Sequence, residues 1–455
     1  MHFFKLNSRK SFSLLIAAGV LIEAFYIFFM VNNGAGDAGL YMFVYFETFV
    51  IFLFGYYIIK KSRPSAGKTP SFITGLFTNS KSGETNFTIP VIIILFGILF
   101  RATLIPAAPA TSPDVYRYIW EGKIIYNGYN PYQYSPDADE LSDLRDDNYS
   151  KVTFKNLPTI YPPAAQIIFL ASYSLTGNSL TGLKFIYLLC EIITMVFLLK
   201  LLDLKKINPN YVILYAWLPL PVMEYFVNAH IDAAGIMFMV LFLFYLEKGN
   251  MLPAVFTFTL AFLTKLYPVF LIPLLVRKLR PVRFIYFILI FVVTSILFYY
   301  PFINGSQSIT KMLTIYANKW EFNASVYYVL TAIIPDKETA RLICGILLFI
   351  SIGYIASYYK DFIKGTFGVL LAVLILSPVL YPWYLGWIST VNPFAGFYSV
   401  LSLLFTVNLS NFTPLGKVWH EYFPVLFVEY AVFFILLAYD LYHQRTGKTF
   451  RDLLQ

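Results

Sequence analysis

Apolar runs recur along the whole of this 455-residue chain, and they constrain its fold more than any other feature. Many of them reach about 18 residues or more, which is the length that an α-helix needs to cross a bilayer. Backbone N–H and C=O groups inside the hydrocarbon layer need partners within the chain, and a helix supplies them. Only 13% of the residues are charged, whereas a soluble domain carries about a quarter. We therefore predict an all-α polytopic membrane protein with roughly 12 to 14 transmembrane helices.

Clusters of lysine and arginine between the apolar runs predict the orientation of the chain. The net charge is +9, but the basic residues lie in these short clusters, so we do not expect nucleic-acid binding. If positive loops stay inside, then the N-terminus, the loop at 60–87 and the C-terminal tail are cytoplasmic. The segment 106–178 then forms a large first outer loop that carries interfacial helices, one of them at 164–176.

The basic loop divides the chain into two predicted parts. Residues 1–87 hold a two-span hairpin and the loop itself, and residues 88–455 form a larger transmembrane domain. The predicted single spans are 12–31, 40–59, 88–105, 180–202, 283–301, 341–359, 366–380 and 425–442. The sequence leaves open whether 383–407 crosses once or twice.

Two further apolar runs, 210–247 and 251–276, are each interrupted by polar residues. The interruptions read NAHIDA at 228–233 and TKLYP at 264–268, and each predicts the tip of a helical hairpin. Both tips lie outside in the predicted topology, because the basic RKLRPVR sequence that follows the second run stays inside.

The most polar and aromatic stretch of the chain begins at Thr111, directly after an apolar span. Asp114 and Arg117 are three residues apart, so they would lie side by side in a helix. Tyr118 and Glu121 follow, and both are candidates for substrate contact, although we favour a structural role for Glu121.

Four polar interruptions reach the same outer face in this topology, although ionisable groups near membrane spans are costly. We therefore expect one cavity there. Its candidate residues are Asp114, Arg117, Tyr118, Glu121, Asn228, His230, Asp232, Lys265, Tyr267, Tyr381, Trp383 and Tyr384.

This set of residues suits a group transfer with an anionic leaving group. Asp114 is the expected base for an acceptor hydroxyl, and Arg117 and Lys265 are expected to stabilise a phosphate. The rings suit the faces of a sugar or an isoprenoid chain. Nucleotide sugars are cytosolic, so an outward-facing site would need a donor linked to a lipid phosphate.

Structural explanations exist for several of these residues. His230 and Asp232 could hold helices together, Lys265 could snorkel to the interface, and the rings near Tyr381 could belong to an aromatic belt. Asp137-Ala-Asp139 imitates a metal-binding DxD motif, but it lies in an acidic loop where solvated charge is the usual explanation. We expect no obligatory cofactor or metal; a divalent metal is an alternative that we do not favour.

Several of these stretches together resemble a known family. SPDVYRYIWEG, NGYNPY, YPP at 161–163, NAHIDA, TKLYPVFLIP and SPVLYPWYLGW occur in the order found in the GT-C superfamily of integral membrane glycosyltransferases. The closest likeness is to polyprenyl-phosphate-mannose-dependent mannosyltransferases. The resemblance covers most of the chain after residue 88, and it implies a GT-C-like catalytic domain there. One departure is Tyr381, where many relatives have histidine.

The resemblance implies an inverting transfer in which Asp114 is the base. The expected function is transfer of a sugar, mannose above all, from a polyprenyl-phosphate donor to a hydroxyl of a glycolipid or glycan. The expected location is a bacterial plasma membrane, with both termini cytoplasmic and the site periplasmic or extracellular; an endoplasmic reticulum membrane with a luminal site has the same topology. The alternative is a multi-span transporter or a flippase for lipid-linked sugars, favoured by the number of spans and the broken hairpins.

Overall fold

The computed structural model describes residues 8–32, 36–61, 88–415 and 420–447. Within these ranges the chain forms 22 α-helices joined by loops and 3₁₀ helices, and it has no β-strand. This confirms the predicted all-α class. Residues 62–87, most of the basic loop, and the tail after residue 447 lie outside the described residues, so their predicted cytoplasmic position stays a prediction.

The helices are numbered here in chain order. They are α1 Ser8–Asn32, α2 Ala38–Lys61, α3 Thr88–Thr103, α4 Asp114–Tyr126, α5 Asp147–Ser150, α6 Pro163–Thr176, α7 Leu180–Leu204, α8 Ile213–Ala216, α9 Pro219–Phe226, α10 Asp232–Glu247, α11 Met251–Thr264, α12 Ile272–Lys278, α13 Pro281–Tyr299, α14 Ser306–Lys319, α15 Val326–Ile333, α16 Lys337–Tyr358, α17 Phe362–Leu376, α18 Leu385–Ser389, α19 Asn392–Ala395, α20 Tyr398–Thr406, α21 Phe412–Leu415 and α22 Phe423–Thr446.

Six segments of the described chain are long and apolar enough to cross a membrane. They are Lys10–Asn32, Ala38–Lys61, Leu180–Leu204, Pro281–Gly305, Lys337–Tyr358 and Phe423–Thr446. Three shorter apolar helices are Ile89–Thr103, Met251–Thr264 and Phe362–Leu376. The count of roughly 12 to 14 that we derived from span length is higher, because prolines and 3₁₀ turns divide the remaining apolar sequence into short pieces. The stretch 383–407, for example, contains no long helix but three short ones and a 3₁₀ turn.

The two predicted hairpin tips are confirmed as helix breaks. α9 ends at Phe226 and α10 begins at Asp232, while α11 ends at Thr264 and a 3₁₀ helix begins at Tyr267. The arms differ from the prediction, since the first arm of the 210–247 run consists of short pieces rather than one span. Pro219 and Pro221 begin a new helix there because proline cannot continue a preceding one.

α10 forms the centre of the bundle. Its residues are apolar around the whole circumference, and it packs between α11 and α7, as expected for a helix surrounded by protein. α13 lies at the periphery and exposes a wide apolar surface, including Ile285, Leu289 and Ile296. Such a surface is compatible with lipid contact.

The outer loop folds against this bundle through α4 and α6, the latter confirming the helix predicted at 164–176. The two helices touch at Gly122, where a Cβ atom would lie 2.3 Å from the carbonyl oxygen of Phe169. Tyr118 stacks on the Phe169 ring with 4.6 Å between centroids. This close packing fixes α4 and therefore the position of Asp114 at its start.

The N-terminal hairpin, α1 and α2, packs on the rest of the chain through tyrosine side chains. Tyr41 donates a hydrogen bond of 2.8 Å to Glu224, and Tyr45 donates one of 2.5 Å to the carbonyl oxygen of Leu404. α2 is therefore in direct contact with the helices that build the outer site. The division into two domains stays a prediction.

Candidate active site

Asp114 begins α4, where a carboxylate is favoured by the exposed N–H groups of the first turn. Its side chain is 28% exposed, so it can reach a bound molecule. Burial raises the pKa of Asp114 to about 6. The nearby positive charge of Lys265 opposes this rise, the carboxylate of Asp232 adds to it, and the positive charge of Arg117 opposes it. A carboxyl with this pKa is still ionised at neutral pH and is a stronger base than an ordinary aspartate.

Lys265 and Asp232 join the two hairpin tips. The Lys265 ammonium donates hydrogen bonds of 2.8 Å and 2.6 Å to the two carboxylate oxygens of Asp232. The indole N–H of Trp387 donates a further bond of 2.8 Å to Asp232. Asp232 is fully buried, while Lys265 keeps 19% of its side chain exposed. The lysine therefore presents a positive charge to the open part of the site.

Four aromatic rings form a continuous stack beside these charges. Phe322 stacks on Tyr381 at 4.8 Å, Tyr381 on Trp383 at 4.6 Å, and Trp383 on His230 at 3.6 Å between centroids. Phe322 is brought in by backbone hydrogen bonds to Pro378 and Leu380. The stack couples the second outer segment to the first hairpin tip, so Tyr381 occupies a packed position in this chain.

Tyr384 covers Lys265, and Tyr267 packs against Tyr384. The lysine nitrogen lies 4.4 Å from the centre of the Tyr384 ring, which is the geometry of a cation–π contact. Tyr267 meets Tyr384 edge-on at 5.4 Å. The hydroxyl groups of Tyr384 and Tyr316 lie 2.6 Å apart and share a hydrogen bond. These rings give the cation an aromatic wall.

Asn228 fixes the chain that precedes Asp114. Its side-chain oxygen accepts hydrogen bonds from the backbone N–H groups of Ala110 (3.2 Å) and Thr111 (3.1 Å). Its amide nitrogen donates to the Thr111 hydroxyl at 2.7 Å and to Glu224 at 3.0 Å. Asn228 is fully buried, so its role in this structure is to hold the loop.

Arg117 does not occupy the position that we expected from the sequence. Its guanidinium pairs with Glu121 at 2.6 Å and donates to the carbonyl oxygens of Phe154 (3.2 Å) and Leu157 (2.9 Å). Glu121 is also held by Thr159 and Gln166. Glu121 at i+4 is the partner of Arg117 because those two further donors orient its carboxylate. We therefore no longer assign the phosphate to Arg117.

Tyr118 and Glu121 belong to the same buried layer beneath the site. Tyr118 is enclosed by Phe169 and by Tyr161, which it meets edge-on at 5.0 Å. Glu121 is 1% exposed. Their contacts support a structural role, which is the one we favoured for Glu121, and leave neither side chain facing the open part of the site.

The four predicted patches thus meet around Asp114, His230, Lys265 and Trp383. Sequence reasoning missed Glu224, Trp387, Tyr316 and Phe322. Glu224 carried a usable signal, since an acid in an apolar run is costly unless it is paired. Trp387 lay within the quoted SPVLYPWYLGW motif. Tyr316 and Phe322 had no such signal, because their place depends on how the second outer segment folds back.

No group of three or more His, Cys, Asp or Glu side chains in the described part of the chain is arranged to hold a metal ion. Asp137 accepts a hydrogen bond from Ser135, and its backbone oxygen accepts one from Arg145. Both Asp137 and Asp139 are exposed in the outer loop. The absence of an obligatory metal stays a prediction.

Comparison with known proteins bears on the part of the chain that holds most of this site. Residues 86–279 match the MptA_B family model, described as alpha-(1->6)-mannopyranosyltransferase, N-terminal domain. The matched segment contains Asp114, Asp232 and Lys265. No curated protein matches the chain. This match supports the predicted resemblance to GT-C mannosyltransferases over residues 86–279.

Proposed function

We propose that this protein transfers mannose from a polyprenyl-phosphate carrier to a hydroxyl group of a glycan or glycolipid. The observation that carries the proposal is the meeting of a reachable carboxylate, Asp114, with the cation of Lys265 in one aromatic-walled site. The family supports the mannosyltransferase class. The lipid-linked donor, the stereochemistry and the side of the membrane are inferred from the chemistry of the site.

Asp114 acts as the general base. It takes the proton of the acceptor hydroxyl while that oxygen forms a bond to the anomeric carbon and the bond from this carbon to the phosphate oxygen breaks. A single displacement inverts the anomeric centre. The family description names an α-(1→6) product, so the donor would be β-linked and the acceptor group would be a primary hydroxyl at C6.

Lys265 stabilises the phosphate that leaves. An ammonium group has three N–H donors, and two of them are used by Asp232. A phosphate oxygen can take the third from the exposed side, where Tyr384 now lies over the cation. Asp232 holds the ammonium in place, so the site is pre-organised for the charge that develops on the leaving group.

An apolar groove between α13 and the residues on either side of Lys265 in the sequence suits the isoprenoid chain. It has a volume of about 380 Å³ and is lined by apolar side chains, among them Phe262, Val269, Phe291, Ile296, Tyr299 and Phe302. Phe262 and Val269 lie three residues before and four residues after Lys265, which supports a lipid chain that runs from the groove to a phosphate at Lys265. α13 forms the other wall with its exposed apolar face, so a lipid can enter from the side.

The proposed setting is a bacterial plasma membrane with both termini in the cytoplasm and the site on the opposite face. The basic clusters support this orientation. The several long apolar helices support an integral membrane protein. The transporter alternative expected Asp114 and Lys265 to lie apart or at mid-membrane, and their Coulombic coupling within one site favours the transferase.

A transfer assay with Asp114→Asn tests the proposal. Purified protein in nanodiscs would receive labelled β-linked polyprenyl-phosphate-mannose and a mannoside acceptor, with the α-linked donor in parallel. The asparagine variant should lose about 10²–10⁴-fold in kcat with little change in KM. Asp143→Asn is the matched control, since Asp143 is an exposed carboxylate of the same loop and should retain full activity.

Two results would contradict the proposal. Asp114→Asn turning over within threefold of the wild type would remove the base. No transfer from any lipid-linked sugar by folded wild-type protein, together with substrate flux in sealed vesicles, would favour the transporter.

A further inference from the structure

His230 lies between two carboxylates, one at each ring nitrogen. Its Nδ1 is 3.9 Å from Asp114 Oδ2, and its Nε2 is 3.4 Å from Glu224 Oε2. The side chain is fully buried, and within the described part of the chain neither nitrogen has a hydrogen-bond partner. Buried polar atoms are usually paired. A histidine held just beyond hydrogen-bond distance of two acids therefore calls for a functional explanation.

The backbone holds the ring in this position. Ala229 adopts a left-handed conformation with φ of 59°, which non-glycine residues rarely adopt and which is often retained at functional sites. The backbone N–H of His230 donates to the carbonyl oxygen of Glu224 at 3.1 Å. Trp383 covers one face of the ring. Small movements of the two carboxylates would complete both hydrogen bonds, as catalytic contacts often tighten on substrate binding.

Glu224 is anchored from two sides. Tyr41 of α2 donates to Oε1 at 2.8 Å, and Asn228 donates to Oε2 at 3.0 Å. Asn228 also holds the backbone that leads to Asp114. One network therefore connects Tyr41, Glu224, His230 and Asp114, and Tyr41 lies outside the segment 86–279 that matches the family.

We propose that His230 and Glu224 are positioning residues that act through Asp114 as a proton relay, an inference that rests on the proposed function. Asp114 first takes the proton of the acceptor hydroxyl on Oδ2. The proton then passes to Nδ1 of the neutral His230, whose Nε2–H faces Glu224 Oε2 at 3.4 Å. The imidazolium formed lies between two carboxylates, and Asp114 is ionised again. When the product leaves, the proton returns through Asp114 to solvent, so no other reactant is needed.

The charges around the relay keep the His230 ring neutral at rest and make the imidazolium a short-lived state that gives its proton back. Burial lowers the pKa of His230, and the nearby Lys265 lowers it further, so the ring is neutral before the proton arrives. The other ionisable groups in electrostatic contact with Asp114 or Glu224 include Arg117, Asp232, Tyr41, Tyr45, Tyr118, Tyr161, Tyr225, Tyr316 and Tyr381. Asp232 is paired with Lys265 and Arg117 with Glu121.

The pH profile of kcat/KM for Glu224→Gln tests the relay. The loss of a negative charge near Asp114 should move the acid limb to lower pH. Without the Glu224 carboxylate beside His230, kcat should fall about tenfold or more, with KM within about twofold. Glu429→Gln is the matched control, because Glu429 is equally buried and also accepts a hydrogen bond from an asparagine amide. It should leave the acid limb in place.

Tyr41→Phe is a second variant for the case in which Glu224→Gln does not fold. It removes one hydrogen bond from Glu224 and should change kcat and the acid limb in the same directions by smaller amounts. An unchanged pH profile and kcat in Glu224→Gln, with an active wild type, would overturn the relay but not the transferase.

Histidine NMR gives a readout that does not depend on transfer. The chain has four histidines, so ¹⁵N-histidine labelling with His230→Gln identifies the signal of His230. Its ring nitrogen shifts should respond to both Asp114→Asn and Glu224→Gln. If neither variant moves these shifts, the relay is wrong whatever the activity. If the variants move the shifts but the wild type transfers no sugar, the failure belongs to the proposed function.

Discussion

The buried pair of Asp232 and Lys265 predicts a strong and asymmetric coupling between the two hairpin tips. Removing one partner of a buried ion pair costs about 3–5 kcal/mol, because the other charge is left without compensation. Asp232 is fully buried, whereas Lys265 is 19% exposed. Lys265→Met should therefore cost about 4–5 kcal/mol, and Asp232→Asn, which leaves a lysine that can still reach water, about 3 kcal/mol.

The double variant Asp232→Asn with Lys265→Met removes both charges at once. An asparagine oxygen can still accept the hydrogen bond from Trp387, so the double variant should be more stable than Lys265→Met alone. The resulting coupling energy should reach about 3 kcal/mol, the upper end for residues in direct contact. Free energies of unfolding would be measured by denaturant titration in mixed micelles, followed by tryptophan fluorescence.

Lys278→Met is the matched control for this cycle. Lys278 pairs with Glu247 at 2.7 Å but is 32% exposed, so its loss should cost about 0–1 kcal/mol. Additive effects of the two single substitutions, or a control as costly as Lys265→Met, would refute the reasoning that burial decides the strength of the pair.

Three further predictions follow from the site. The acid limb of kcat/KM should have its midpoint near pH 6, the raised pKa of Asp114. The folded state binds this proton more tightly than the unfolded state, so the free energy of unfolding should fall as pH rises from 3.8 to about 6. Asp114→Asn should therefore not lower thermal stability at pH 7.5. Glu121→Ala should cost about 3–5 kcal/mol in unfolding experiments because it strands Arg117, while Glu121→Gln should cost less. A chelator should leave the transfer rate within twofold of the untreated enzyme; loss of activity that added Mg²⁺ or Mn²⁺ restores would contradict the expectation of no obligatory metal.

Much of the fold could be predicted because the bilayer imposes helices on apolar runs. The breaks at NAHIDA and TKLYP were visible for the same reason, since polar residues are costly inside a span. The divided helices between residues 382 and 415 were less predictable. Apolar composition alone does not distinguish one span from several short helices packed in protein, and the choice depends on neighbours that are distant in the chain.

The candidate site shows the same contrast. The residue types, their common outer face in the predicted topology and the match of residues 86–279 to the family model all follow from the sequence. Which of these charges are partners depends on contacts between segments that are distant in the chain. Asp114 and Glu121 lie three and four residues from Arg117, and helical spacing allows either pair; Thr159 and Gln166, about 40 residues later, orient Glu121 and decide the result. Long-range contacts also placed Glu224 and Tyr41 next to His230, because hydrogen bonds between distant segments leave no periodic trace in a sequence.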